Sequence, residues 1–413
     1  MFAVVLALII SDKVHRALAA LLGAVVVLLT GILPFEESLE HIDFNTLGVL
    51  TGMMLFVAVA RRSGLFEYLA IRSAKLARGD PWRIMVFLML ITAVLSAFLD
   101  NVTTVLLVGP MTLMICKELR ISPVPFFMTQ IIASNVGGTA TLIGDPPNIM
   151  IGSAADLSFV DFILVDGPIV VVILAATVIG FRFVYKNKLS ASAESIQAAM
   201  QMDEKEAIVS QSLFVKSIVM IGLVVVGFSL HGVLHIESAV IALGAAAILM
   251  LIGRQNIDEV IDGVEWPTIG FFVGLFIVVG GMVATGVIDL FAVFLVDATG
   301  GNLLMAVLLI LVASAVISAI VDNIPFVATM IPVILTMGAS GMEVEPLWWA
   351  LSLGACLGGN GTLIGASANV VLSGISNREG YPITYLDFLK VGGPMMLLSI
   401  LISAVYLVLR FCV

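Results

Sequence analysis

Charge is scarce in this sequence: Asp, Glu, Lys and Arg make up 12% of its 413 residues, against 61% hydrophobic ones. A water-soluble domain carries about 25% charged residues and about 45–50% apolar ones, so a soluble fold is excluded. Apolar runs of bilayer length recur along the chain, which reads as an all-α polytopic membrane protein. Cysteine is almost missing. Cys116, Cys356 and Cys412 stand in apolar contexts and supply neither a disulfide framework nor a zinc site. There is no basic cluster suited to nucleic acid, and the net charge of −10 argues against a polynucleotide partner. No GxxxxGK[ST] occurs, so nothing cradles a nucleotide phosphate. An energy-requiring step must then draw on an ion gradient or on a separate ATPase subunit, and no cofactor is expected. The opening MFAVVLALII lacks a basic n-region and a small-residue cleavage site, and reads as part of a short first span.

What the sequence does have is an internal repeat. Residues 42–70 align with 264–292, and AVLSAFLDNVTTVLLVGPM from Ala93 aligns with AVISAIVDNIPFVATMIPV from Ala315. GGTATLIGDPPN from Gly137 then aligns with GGNGTLIGASAN from Gly358, and VDFILVDGP with LDFLKVGGP. Four blocks in one order at nearly constant spacing point to a duplication. The halves are 1–185 and 217–413, joined by a polar linker at 186–216.

Charge placement orients them. Arg61, Arg62, Arg72, Lys75, Arg78 and Arg83 follow the third span, whereas the matching segment, about 283–305, carries only Asp289 and Asp297. The positive-inside rule puts the first in the cytoplasm and the second outside, so the repeats are inverted. Reading 84–116 and 303–337 as re-entrant hairpins leaves every Lys and Arg except Arg410 on the cytoplasmic side, together with the Lys186–Lys216 linker. Broken helices are expected at 124–153 and 347–376.

The hairpin centres read Asp100-Asn101-Val102-Thr103 and Asp322-Asn323. A carboxylate deep in a bilayer costs at least ~2.5–3.5 kcal/mol, so a matched pair requires a use. Helix capping accounts for part of it, but Ser would cap without the charge. In the breaks Gly137, Gly138 and Gly144, and Gly358, Gly359 and Gly365, interrupt a span and free backbone groups to bind ions or polar solutes. Thr139, Thr141 and Asn148 in one break, and Asn360, Thr362, Ser367 and Asn369 in the other, supply polar side chains. Asp145 has no acidic counterpart, because Ala366 occupies that position.

These motifs, over essentially the whole chain, resemble the ArsB/NhaD group of the ion transporter superfamily, in the pattern of the melanosomal P protein and bacterial arsenite-pump permeases. The resemblance implies a homodimer in the cell's inner membrane, with a scaffold domain and a mobile transport domain carrying hairpins and broken helices in an elevator-type movement. Related divalent anion:sodium symporters bind sodium and a carboxylate at a Ser-Asn-Thr tip. Here Asp replaces that Ser at both tips, which opposes an anion.

The first expectation is efflux of arsenite or antimonite as the neutral trihydroxide, bound by Asn101, Thr103, Asn323 and the polar break residues. Asp100, Asp322 and Asp145 then couple protons. The alternatives are a sodium/proton antiporter and a chloride or dicarboxylate permease; the permease calls for a basic residue near the site, and the breaks contain none. One thiol makes Cys356 a weak arsenic ligand and a good apolar filler. An intramembrane aspartyl protease lacks its GxGD, so no enzyme is expected. The four histidines fall in loops, and residues 61–83 form an interfacial amphipathic arm.

Overall fold

The computed structural model describes residues 2–11, 14–186 and 189–413. Every regular element among them is a helix. Lipid offers backbone amides no partners, so a spanning segment must satisfy them internally. Seven of the described helices are long and apolar enough to cross a membrane. Phe159–Tyr185 shows how one is built. A capping box of Ser158 and Asp161 closes its first turn, while Leu164, Val171 and Phe183 stay exposed on an apolar outer face.

The two halves interlock. Phe44–Arg61 packs on Ser238–Gly253, and Trp266–Ala284 packs on Arg16–Leu29, so each half lends a helix to the other. Small residues set both crossings. A Cβ on Gly52 would meet the carbonyl carbon of Ala242 at 2.6 Å, and one on the aligned Gly274 would meet that of Ala20 at 2.6 Å.

Two helical hairpins follow these pairs. Pro81–Phe98 turns at Leu99 and Asp100 into Asn101–Glu118; Leu303–Ile320 turns at Val321 and Asp322 into Asn323–Ala339. Beside each lies an interrupted helix: Val124–Gly138 with Pro146–Ala155, and Glu345–Gly358 with Ser367–Arg378. The contacts that fix break to hairpin recur in both halves. Ser96 Oγ donates to the Ser134 carbonyl and Ser318 Oγ to that of Ala355, each at 2.6 Å. The hydroxyls of Thr141 and Thr362 donate to the carbonyls of Ala97 and Ala319. A Cβ on Gly137 would run into the backbone of Ala93, as one on Gly358 would into Ala315.

Between spans and hairpins lie two amphipathic helices, Leu65–Leu76 and Val287–Thr299. Glu204 of the linker accepts from Arg72, at 3.1 Å, and from Lys75 on the first of them. One sequence expectation changes here. His231 lies within the Gln211–Leu234 helix, not in a loop, and its Nε2 accepts from Phe159 N at 3.0 Å. The helix runs past the apolar stretch because its last turn packs on the next span's start.

Candidate functional site

Both hairpin tips and the first break converge on one point. Asp100 is held by its own helix: its Oδ1 accepts from Thr103 N at 2.9 Å and its Oδ2 from the Thr103 hydroxyl. Asp322 Oδ1 likewise accepts from Ile324 N at 3.2 Å. Capping is thus real at both tips: both Asp100 oxygens turn to Thr103, whereas Asp322 keeps its Oδ2 for partners outside its own helix. Asp145, 1% exposed, heads Pro146–Ala155 without a side-chain cap, and Asn323 Nδ2 donates to its two oxygens at 3.3 and 3.4 Å. The acid of one half therefore meets the tip amide of the other.

A cavity of about 20 Å³ opens among Asp100, Asn101, Asp145, Asn323 and Ser367. About 10–15 Å³ is what one water needs, so the space suits a single water-sized species. A larger cleft of about 900 Å³ around Asn45, Ser158, His231 and Glu237 holds none of the tip residues.

Nothing in the sequence pattern points to Arg16 here, since it begins the Arg16–Leu29 helix at the edge of a span. Its Nη1 lies 3.0 Å from Asp322 Oδ2, and the same guanidinium donates to Ser367 Oγ and, at 3.4 Å, to Thr268 Oγ1. It also stacks 5.4 Å from the centroid of Phe271. Ser367 Oγ donates to Asp322 Oδ2 at 2.7 Å. Arg16 and Ser367 line both the small cavity and an adjoining cleft of about 280 Å³, so the guanidinium stands at the mouth between them. Glu265 joins the cavity wall from the same helix pair. A basic residue is therefore near the site although neither break contains one, which removes the ground on which an anion was set aside; the surplus of acid remains.

The other polar residues form a layer behind the cavity. Asn101 Nδ2 donates to Asn135 Oδ1 at 3.2 Å, and Asn135 Nδ2 donates to Asn360 Oδ1 and Asn369 Oδ1 at 3.0 and 2.9 Å. Asn135 sits in an apolar helix two residues before the Gly137-Gly138 pair, and only its place in that helix marks it. Asn148 Nδ2 reaches the carbonyls of Thr141, Thr139 and Gly138 at 3.0, 3.2 and 3.4 Å, and Asn369 Nδ2 those of Gly359 and Thr362 at 2.7 and 2.9 Å. Thr139 donates to the Asn135 carbonyl at 2.8 Å. The structure thus brings Asp100, Asn101, Asp145, Asn323 and Ser367 to the cavity, with Asp322 on its Arg16 side. Thr103, Thr139, Thr141, Asn148, Asn360, Thr362 and Asn369 are engaged in holding tips and breaks in shape.

Cys356 Sγ lies 3.4 Å from Asn148 Oδ1, fully buried, with no second thiol beside it. Among the described residues no group of three His, Cys, Asp or Glu is placed to hold a metal.

Comparison with known proteins fits this architecture. The model of a citrate transporter family matches residues 6–354. An uncharacterised transporter of Mycobacterium bovis is 45% identical over 414 residues, spanning 98% of this chain and 96% of its own. Human P protein is 33% identical over 498 residues, spanning 99% of this chain and 59% of its own, so it has substantial sequence beyond the shared part. Among solved structures, the Alcanivorax borkumensis YdaH transporter superposes with a TM-score of 0.64 at 16% identity, covering 95% of this chain and 98% of its own. Neisseria gonorrhoeae MtrF does so with 0.62 at 12%, covering 94% and 85%. At these identities the likeness is one of fold.

Proposed function

From the premise that this chain belongs to the citrate transporter family of membrane transporters, we propose that it carries a small uncharged solute in exchange for protons, with arsenite or antimonite trihydroxide as the substrate class. The observation that carries this reading is the cavity. Asp100, Asp145 and Glu265 line it against the single guanidinium of Arg16, with Asp322 on the far side of that guanidinium, and it must widen to admit a solute of four heavy atoms. A pyramidal trihydroxide presents donors to carboxylates and acceptors to the Asn101 and Asn323 amides, and brings no charge into that surplus. Asp100, which lines the cavity, and Asp322, whose Oδ2 its helix cap leaves to Arg16 and Ser367, are the groups to exchange protons.

Citrate, the solute in the family's description, is bulkier than a trihydroxide and would need the cavity to widen further, and its carboxylates would face the acids that line it. Arg16 favours the anion as a second reading, provided the cavity widens and the guanidinium leaves Asp322. Sodium in the place of the solute is a third. For the movement we propose an elevator-type shift of hairpins and broken helices against the two crossed helix pairs, in a homodimer with inverted repeats. Arg16 on one of those pairs and Asp322 on a hairpin then form a contact that must break in each cycle. An ATPase subunit is not needed for this scheme.

Proteoliposomes holding the purified chain test it. Arsenite uptake driven by an imposed pH gradient is expected, and Asp100→Asn and Asp322→Asn are each expected to reduce it to background. Gradient-driven uptake of citrate alone would favour the anion, and sodium-dependent collapse of the gradient without arsenite would favour the antiporter.

A further inference from the structure

Asp166 is an acid that the cavity does not use. It lies seven residues, about 10 Å, inside the Phe159–Tyr185 helix and is fully buried. A carboxylate there would need donors for several lone pairs. It has one polar neighbour, Ser352 Oγ, 2.7 Å from its Oδ2, and its buried Oδ1 has none.

The hydrogen count around Ser352 decides the state of this group. Ser352 Oγ is also 2.8 Å from Asn148 Oδ1. The Asn148 amide cannot be turned round, because its Nδ2 faces three backbone carbonyls, all acceptors. Its Oδ1 is therefore an acceptor too. A serine hydroxyl has one proton and cannot donate to a carboxylate and to an amide oxygen together. Donation to Asp166 would leave two oxygens facing each other at 2.8 Å, even with the Cys356 thiol serving Asn148 from 3.4 Å. A proton on Asp166 resolves this: Asp166 donates to Ser352, and Ser352 donates to Asn148.

The charged and titratable neighbours leave that proton in place. Arg410 of the last helix donates instead to the Leu164 carbonyl at 3.1 Å and the Tyr406 hydroxyl at 2.6 Å, and Tyr406 donates to the Val165 carbonyl. No ion pair reaches Asp166 among the described residues. Asp161 and His231 are committed to the start of the helix, Ser158 and Phe159 N being their partners. The Val124–Gly138 helix contributes no ionisable side chain, and beyond Cys356 the next acid is Asp145. In the second half the aligned residue is Gly392, where a Cβ would meet the Asn360 carbonyl oxygen at 2.5 Å. The acid belongs to one half only.

We propose that Asp166 is a second proton-binding site, outside the solute cavity and occupied in this conformation, and that it positions the first broken helix through Ser352 and Asn148. When the proton leaves for solvent water, the carboxylate takes the Ser352 hydroxyl. Asn148 then loses a donor to the amide that clamps Gly138, Thr139 and Thr141, three residues from Asp145 in the cavity. Its part in coupling rests on the proton-exchange reading above; its occupancy does not.

Infrared spectroscopy of the full chain in lipid, in H2O and D2O, tests the occupancy. At pH 7 the wild type is expected to show a protonated-carboxyl C=O band that Asp166→Asn lacks, and this band is expected to disappear on alkaline titration. Identical carboxyl bands in the two proteins would overturn the proposal. Asp166→Asn supplies a neutral donor to Ser352, so its melting temperature is expected to match the wild type, with Asp166→Ala well below. If Asp166→Asn unfolds while Asp166→Glu shows no such band, Asp166 is ionised and the proposal fails. Absence of arsenite transport by the wild type would sink the substrate reading and leave the band unaffected.

Discussion

At the scale of single residues, Arg16 changes how the site is understood. One guanidinium serves Asp322, Ser367, Thr268 and the face of Phe271, and no lysine geometry replaces all four. Hydrogen bonds to charged groups contribute about 1.5–3 kcal/mol each, and a change of about 1.4 kcal/mol is tenfold in an equilibrium or rate. Arg16→Gln is therefore expected to slow gradient-driven uptake about tenfold, with Arg16→Lys in between; unchanged uptake in both would remove Arg16 from the gate. The tips and Asp145 are legible in the sequence because a duplicated acid inside an apolar run has no bland explanation. Arg16 is not, because 306 residues separate it from Asp322 and a basic residue before a span also satisfies the positive-inside pattern. Asp166 stands in a recognised repeat block, but five residues after Asp161 it looks like part of a helix end. Only the depth of Phe159–Tyr185 shows otherwise.

At the scale of elements, glycine sets the spacing. Gly52 and Gly274 let each half's helix cross the other's backbone, and Gly137 and Gly358 seat each break against its hairpin. Gly52→Val is expected to destabilise the scaffold crossing by about 1–3 kcal/mol through overpacking, read as a lowered melting temperature of the purified protein. An equal melting temperature would mean that the crossing is looser than the structure has it. Repeat alignment makes these elements legible as pairs. Which pairs touch is not, because Phe44–Arg61 takes its partner from the opposite half, a choice set by small-residue contacts that no local pattern encodes.

At the scale of the whole molecule, the linker between the halves is fastened by charge. The Lys75 bond, with Arg72 beside it, holds the Glu204 carboxyl down to about 2 from its ordinary 4.5. A depressed acid contributes its full tie above pH 4.5 and loses it as pH falls toward 2. Protection from hydrogen exchange across 189–210, taken relative to the intrinsic amide rate at each pH, is expected to be high at neutral pH, to fall through that window, and to be low at pH 7 in Glu204→Gln. Protection insensitive to both would show that the linker is held by other contacts.

The low content of charge first excludes a soluble fold, and the few buried acids then define the cavity for which proton exchange is proposed. Proton release on solute binding tests that claim most directly. A pH-sensitive dye would be read in weakly buffered solution as arsenite is added to the purified chain. Release is expected from the wild type, with a diminished signal from Asp100→Asn and from Asp322→Asn. Arsenite binding with no release, or equal release from both variants, would contradict it.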